Sequence, residues 1–207
     1  AVPAITATSY EDLIAIFNSS SISGISTSSV TLTVDTISVA EANILNAKTS
    51  GVITATINEN AASTLAGLDV SRGSTANAYA VTVGDSEPTA AILNTIDGLT
   101  SAAVGIAGAT KITGTLDETH TLYANKANFS GIGDEAVTVT STVLDAAKVT
   151  ELAADTTGKV TFSNTVTAFS GDAKQVATLL ADSATNAGAG TEVSGINTTA
   201  SITVSGD

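Results

Sequence analysis

One property restricts the fold of this 207-residue chain more than any other: short segments recur along it in the same order. The tetrapeptide AVTV at residues 80–83 returns at residues 136–139. Related segments are VTLTV at residues 30–34 and SITV at residues 201–204, and the tripeptide SGI shortly precedes three of these four segments. Ordered recurrence of this kind is typical of a chain that stacks copies of one supersecondary unit.

Each copy has two halves, and each half reads as a strand followed by a helix. Thr/Val-rich segments with alternating apolar positions predict the strands, and Ala-rich segments with apolar residues three and four apart predict the helices. Residues suited to helix starts and stops flank these segments. They are Ser38, Thr89 and Asp145 at the starts, and Gly51, Gly98 and Gly158 just past the ends.

Strands that alternate with helices at intervals of about 22–30 residues predict parallel pairing through right-handed crossovers. The sequence therefore predicts an α/β fold, a solenoid-like βαβα array with a parallel sheet; a doubly wound α/β sheet remains the alternative. The expected organisation is one array. It divides into a half repeat at residues 1–30, repeats at 31–80, 81–136 and 137–201, and the first strand of a following repeat at 202–207.

Composition excludes several classes of partner. The chain has 20 acidic and 7 basic side chains and a formal charge of -13, so a nucleic acid partner is not expected. No apolar run reaches the roughly 18–20 residues that span a bilayer, so membrane insertion is not expected either. The absence of Cys removes disulfides and thiolate metal sites.

The segment at residues 136–196, which begins AVTVT and ends VSGI, resembles the Ala/Thr/Gly-rich repeats of giant secreted proteins of cyanobacteria and other bacteria, described as adhesin-like or surface-layer-like. The resemblance covers nearly the whole chain. It implies a secreted or cell-surface location, a structural role, and partners that are further copies or adjoining repeats. Some of these proteins also carry calcium-binding glycine-rich nonapeptides, and this sequence has none.

The sequence does not support catalysis. A Ser or Thr nucleophile needs a partnered base, His120 is the only histidine available to the many Ser and Thr residues, and no G-x-S-x-G motif is present. The alternative to a structural role is a carbohydrate- or surface-ligand-binding module. Sugars are usually held on aromatic rings, and Tyr10, Tyr79 and Tyr123 are the residues expected to be exposed for that purpose.

Carboxylates at predicted strand–helix junctions are candidate ligands for calcium, the one cofactor that the sequence raises. Calcium takes six to eight oxygen ligands, and stacked turns can present carboxylates in a row. The alternative is that these acids cap helix N-termini, where the dipole favours negative charge. The candidate residues are Asp35, Asp85, Glu87, Asp134 and Glu135.

The two ends of the chain predict an assembly interface. Ile5 and Thr6 belong to the first predicted strand, and Ile202, Thr203 and Val204 belong to the last. Because each is an edge strand, donation of one to the other in a second copy predicts a head-to-tail polymer.

The threonine-rich strands raise one further alternative, an ice-binding face. Such a face requires a flat and regular array of threonines. The spacing of threonines in the sequence differs between the copies, and this irregularity argues against it.

Overall fold

The computed structural model describes residues 3–106, 108–185, 193–194 and 201–204. It shows a mixed α/β fold of short parallel strands and seven helices within that part of the chain. The helices are α1 (Tyr10–Asn18), α2 (Val39–Lys48), α3 (Ala62–Leu65), α4 (Ala90–Asp97), α5 (Leu116–Ala124), α6 (Ala146–Asp155) and α7 (Ala173–Thr185). The strands are β1 (Ile5–Ala7), β2 (Val30–Ile37), β3 (Ile53–Ile57), β4 (Ala78–Ala80), β5 (Val104–Gly105), β6 (Lys111–Gly114), β7 (Phe129–Ser130), β8 (Ala136–Val139), β9 (Val143–Asp145), β10 (Val160–Phe162), β11 (Ala168–Gly171), β12 (Val193–Ser194) and β13 (Ser201–Val204).

The chain divides into two compact units. Unit 1 comprises Ala1–Asp85, Thr95–Ala107 and Ala127–Ser130, and unit 2 comprises Ser86–Asn94, Gly108–Lys126 and Gly131–Asp207. Unit 1 contains the sheet β1-β2-β3-β4 and the pair β5-β7; unit 2 contains the sheets β6-β8-β10-β12 and β9-β11-β13. Every strand pair among the described residues is parallel, so the prediction of parallel pairing is confirmed.

The separation between paired strands is nearly constant. Ile5 pairs with Val30 and Val30 with Ile53, which are separations of 25 and 23 residues. In unit 2, Val137 pairs with Val160, again 23 residues apart. The pairs β10-β12 and β11-β13 are wider, because their partners lie 33 residues apart. Each of these strands thus pairs with a strand that lies about one strand–helix segment further along the chain.

Helix starts follow the expected capping chemistry. Ser38 accepts a hydrogen bond from the Glu41 N–H, and the Glu41 side chain returns to the Ser38 N–H, so the predicted start of α2 is a complete capping box. Asp145 accepts from the N–H groups of Ala147 and Lys148 at the start of α6. These caps satisfy N–H groups that have no partner inside the helix.

Alternation along the strands places the core on one side of each sheet. In β3, Ile53, Ala55 and Ile57 are buried, whereas Thr54 and Thr56 are exposed. Strand β2 and the helices α1 and α2 also contribute buried residues to the interior of unit 1. They include Val30, Leu32, Leu13, Ala42 and Leu45. A strand with period-two burial presents one face to a core and one to solvent.

A hydrogen-bonding motif that we call the threonine clasp follows α2. Thr49 Oγ1 donates to the Ser28 carbonyl at 2.7 Å and accepts from the Gly51 N–H at 2.9 Å. Between them, the Ser50 N–H donates to the Ser26 carbonyl at 2.8 Å. Gly51 lies so close to the Ser28 carbonyl that a side chain there overlaps it. The clasp therefore closes the gap between two consecutive segments.

The clasp recurs twice. Thr100 Oγ1 donates to the Tyr79 carbonyl at 2.7 Å and accepts from the Ala102 N–H at 3.1 Å. Thr156 Oγ1 lies 3.3 Å from the Gly133 carbonyl and accepts from the Gly158 N–H at 2.9 Å. The three copies are residues 49–51, 100–102 and 156–158. By this bond pattern the three-residue segments are equivalent, and Ala102 takes the place of the glycine.

Candidate functional site

Two of the predicted calcium ligands cap helices of the preceding segment. Asp35 Oδ2 lies 3.4 Å from the Tyr10 N–H, the first residue of α1, and Asp85 Oδ2 accepts from the Ala62 N–H, the first residue of α3, at 2.7 Å. A carboxylate at the first turn of a helix satisfies a free N–H and complements the helix dipole. Both carboxylates thus make the helix-capping contact that the sequence offered beside a calcium role.

Sequence reasoning missed other members of this set. Glu59 Oε2 accepts from the Val39 N–H at the start of α2 at 2.9 Å. Ser141 Oγ accepts from the Leu116 N–H at the start of α5 at 2.9 Å. Each acceptor lies 20–25 residues beyond the N–H that it caps, as do Asp35 and Asp85. We call these four residues the trans-caps, because each caps a helix in the preceding segment.

Glu87 and Asp134 are exposed residues of unit 2 with different surroundings. Glu87 Oε2 forms an ion pair with Lys111 Nζ at 2.5 Å. Asp134 lies in the turn before β8, next to the buried Glu135. The structure therefore brings only Asp134 and Glu135 together among the predicted ligands of this unit.

Glu135 is the most enclosed carboxylate of the predicted set, with 2% of its surface exposed. Its Oε2 accepts from the Tyr123 hydroxyl at 3.1 Å and from the Gly133 N–H at 2.9 Å, whereas its buried Oε1 has no hydrogen-bond partner among the described residues. Burial, reinforced by the Glu135 carboxylate, raises the pKa of Tyr123, so this hydroxyl stays protonated and donates.

The position of Glu135 has an equivalent in unit 1. The Ser28 carbonyl accepts a hydrogen bond from Thr49 Oγ1, and the Glu135 carbonyl accepts one from Thr156 Oγ1. Ser28 Oγ is also buried without a hydrogen-bond partner among the described residues. The two orphaned oxygens thus occupy the same point of the repeat, which indicates a shared packing constraint.

His120 lies on α5 as expected, and its partner is on α6. His120 Nε2 is 2.7 Å from Glu151 Oε2, and Lys148 Nζ is 2.5 Å from Asp117 Oδ1. The ion pair and hydrogen bond with Lys148 lower the pKa of Asp117. The single histidine is therefore part of a polar contact between two helices, with no nucleophile paired to it among the described residues.

The prediction that Tyr79 and Tyr123 are exposed is wrong. Tyr79 is fully buried, and Tyr123 is 1% exposed. Tyr79 accepts a hydrogen bond from Asn77 Nδ2 at 3.1 Å, and burial raises the pKa of its hydroxyl. Tyr79 is the middle residue of β4, on the face of that strand that is turned to the core, and Tyr123 is on the buried face of α5. Tyr10, which is half-buried, is the remaining candidate for stacking against a sugar.

A cleft of about 380 Å³ lies in unit 1 beside the second clasp. Asp97, Thr100, Ser101 and Asn128 line it together with small Ala side chains, and Asn128 Nδ2 donates to Asp97 Oδ2 at 3.1 Å. The cleft has no aromatic wall and no titratable partner for its one carboxylate among its lining residues.

The predicted assembly residues lie on strands at opposite ends of the described chain. Ile5 and Thr6 belong to β1, which pairs on one side only, with β2. Ile202, Thr203 and Val204 belong to β13, which pairs with β11. Within the described residues each strand therefore ends its sheet.

In the part of the chain that the structure describes, no three His, Asp or Glu side chains converge as a metal site requires. No helix there is long and apolar enough to cross a membrane. A comparison of the chain with family models, with curated proteins and with solved structures found no match.

Proposed function

We propose that the chain is a non-catalytic structural repeat segment of an extracellular bacterial surface protein, a filament, surface layer or giant adhesin, and that its units are stretches of an α/β solenoid. The observation that carries the proposal is the nearly constant separation of paired strands. Ile5 with Val30, Val30 with Ile53 and Val137 with Val160 are 23–25 residues apart. A constant separation is what stacking of one βα coil on the next produces.

The strand order supports a solenoid over a doubly wound sheet. In unit 1 the strands lie in the sequential order β1-β2-β3-β4, whereas a doubly wound sheet reverses its order at a switch point. Right-handed crossovers between sequential parallel strands place every connecting helix on the same side. The outward threonines of β3 support the same arrangement, because a doubly wound sheet is covered on both faces.

The use of the polar side chains supports a structural role. The trans-caps, the clasps and the ion pairs of α5 with α6 all connect one segment to another. Such bonds are satisfied within the fold, and the cleft beside the second clasp contains no perturbed acid–base pair among its described lining residues. The carbohydrate-binding alternative is weakened, because Tyr79 and Tyr123, two of its three candidate tyrosines, are buried. The proposed location at the cell surface rests on the resemblance to secreted repeat proteins.

The proposed partner is a further copy or an adjoining repeat that continues the array at β1. The Ile5 N–H donates to the carbonyl of Ser29, the residue just before β2, at 2.8 Å, so the N–H of the next residue, Thr6, points to the opposite edge. An edge N–H that faces solvent is a template for another strand. In the proposed polymer, β13 of a second copy supplies that strand through Thr203 and its neighbours.

Light scattering over a concentration series, in millimolar calcium and in chelator, tests this proposal. We expect the mass to grow with concentration, and Thr6→Pro to abolish the growth, because proline removes an outward N–H but is tolerated in an edge strand. Ile5→Pro is the matched control, since it breaks the bond to Ser29 and lowers stability as well. Calcium-dependent growth supports a role for the acidic turns in assembly. A monomer in both buffers refutes self-assembly.

A further inference from the structure

The outer face of the sheet β1-β2-β3-β4 in unit 1 has a composition that the structural role does not require. We call it the threonine face. Its members are Thr6, Thr31, Thr36, Thr54, Thr56, Ala78 and Ala80. The residues that alternate with them, such as Ile53 and Ile57, point to the core. Most of the threonine face is solvent-exposed, and the sheet buries its opposite side.

Strand register turns these residues into a regular grid. Thr6 pairs with Thr31, and Thr31 with Thr54, in one row across three strands. A second row joins Thr36 to Thr56 and Ala80. Paired strands are about 4.8 Å apart and alternate residues about 6.6 Å apart along a strand, so the grid has two fixed repeats.

The regular spacing of these threonines is not visible in the sequence, because β2 contains a bulge. The register shifts between Thr31 and Thr36, so Thr36, and not Thr33, lies opposite Thr56. The extra residues of β2 lie between these two positions and include Val34 and Asp35, whose side chains are both exposed. Within the sheet β1-β2-β3-β4, spacing that is irregular in the sequence is therefore regular in the strand register, which answers for this sheet the objection raised by the sequence to an ice-binding face.

The chemistry of the face argues against charged ligands, sugars and an apolar protein interface. Asp35 is the one charged residue in these four strands, and its carboxylate is directed to the N-terminus of α1. A chain with 20 acidic and 7 basic side chains thus keeps its charges off this surface. The ring of Tyr79 in β4 faces the core, so sugars find no stacking platform here. The face is also too polar to resemble the apolar centre of a protein interface.

We propose that the threonine face binds ice. Ice presents rows of water molecules with two lattice repeats of similar length to those of the grid, and a hydroxyl group both donates to and accepts from water. Threonine is stiff at χ1, so the hydroxyl and methyl groups are held in place before the ligand arrives. Each contact is weak, and only a ligand with its own periodicity engages all of them at once.

Nanolitre osmometry and ice-recrystallisation assays on the whole chain test the proposal. We expect the wild-type protein to shape ice crystals and to slow their growth. Thr54→Lys places a charge in the middle of the grid at an exposed position, and we expect it to raise the concentration needed for inhibition at least about tenfold. Thr64→Lys, on the exposed surface of α3, is the matched control and keeps full activity. Circular dichroism checks that both variants fold.

Three results overturn the inference. The first is a wild-type protein with no more effect on ice than an inert protein of the same mass. The second is an equal loss in Thr54→Lys and Thr64→Lys. The third is a concentration-dependent dimer that Thr54→Lys returns to monomer, because the face is then an interface between copies. The inference does not depend on assembly through β1, which Thr6→Pro tests separately by mass.

Discussion

Replacement of Gly51 by alanine tests the idea that the threonine clasp sets the distance between consecutive segments. A Cβ atom at this position overlaps the carbonyl group of Ser28 and comes within 2.5 Å of the Ser29 nitrogen. All of these are backbone atoms, so no side chain can rotate away. The backbone before β2 that contains them has to move, and the clasp bonds of Thr49 and Ser50 weaken with it.

The expected cost follows from these contacts. Overpacking of a tight site costs roughly 1–3 kcal/mol, and the loss of two hydrogen bonds adds about 1 kcal/mol each. Alanine restricts the unfolded chain and returns about 0.4–1 kcal/mol. We therefore expect Gly51→Ala to lower the free energy of unfolding by about 2–4 kcal/mol, or the Tm by roughly 5–15 °C for a chain of this size.

Urea titration followed by circular dichroism measures the loss, with Ala102→Gly as the control. Ala102 occupies the same place in the second clasp and already carries a Cβ atom, so its removal is expected to cost only about 0.4–1 kcal/mol through the unfolded chain. If Gly51→Ala is as stable as the wild type, the clasp does not fix the distance between segments, and the proposed reason for glycine at this position is wrong.

Three further changes probe other contacts. Thr156→Val leaves the Gly158 N–H and the carbonyls of the clasp without their hydroxyl, and a urea titration should show a loss of about 1–3 kcal/mol. Asp85→Ala removes a trans-cap and should cost about 0.5–2 kcal/mol by the same measurement, with the exposed Asp69→Ala near neutral. Asp117 has a lowered pKa in the folded protein, so its contribution is present above its unfolded pKa and is lost as the pH falls through the lower folded value; Asp117→Asn should therefore flatten the acid side of a plot of Tm against pH.

Each of these predictions has an outcome that contradicts it. If Thr156→Val does not change the free energy of unfolding, water replaces the clasp hydroxyl in the folded state. Equal losses in Asp85→Ala and Asp69→Ala mean that net charge, and not capping, determines the effect. An unchanged acid limb in Asp117→Asn means that the contact with Lys148 is screened by solvent.

Local signals in the sequence predicted the helix starts well. The capping box of Ser38 and Glu41 and the cap at Asp145 depend on residues within three positions of each other, and the structure confirms both. Parallel pairing also followed from the alternation of strands and helices. These features require no knowledge of what lies in the next segment.

Contacts between segments were harder to predict. The sequence left both a capping role and a calcium-ligand role open for Asp35 and Asp85, because the N–H groups that they face lie 25 and 23 residues away. Tyr79 was expected at the surface, since a single sequence does not show which of two alternating faces meets the core. The orphaned oxygen of Glu135 depends on packing around Tyr123, and nothing in the sequence indicates it.

One signal in the sequence lies beyond the ends of three helices. The segments TSG at residues 49–51, TSA at residues 100–102 and TTG at residues 156–158 follow α2, α4 and α6; the first and third begin directly after the helix, and the second begins three residues after Asp97. Gly98 directly follows α4, as expected of a helix stop, but Ala102 holds the clasp position that Gly51 and Gly158 hold in the other copies. The threonine two residues before each of these positions is the more informative residue, because its hydroxyl makes the bond to the preceding segment.

The short separation between paired strands has a consequence for how the protein is made. A strand that pairs with one completed 23–25 residues earlier has its partner available as soon as it leaves the ribosome or a secretion channel. Ordering a short loop costs little entropy, so each segment can dock before the next is synthesised. Within each unit, acquisition of structure can therefore advance from the N-terminus with the chain, and hydrophobic surface stays exposed for about one segment at a time.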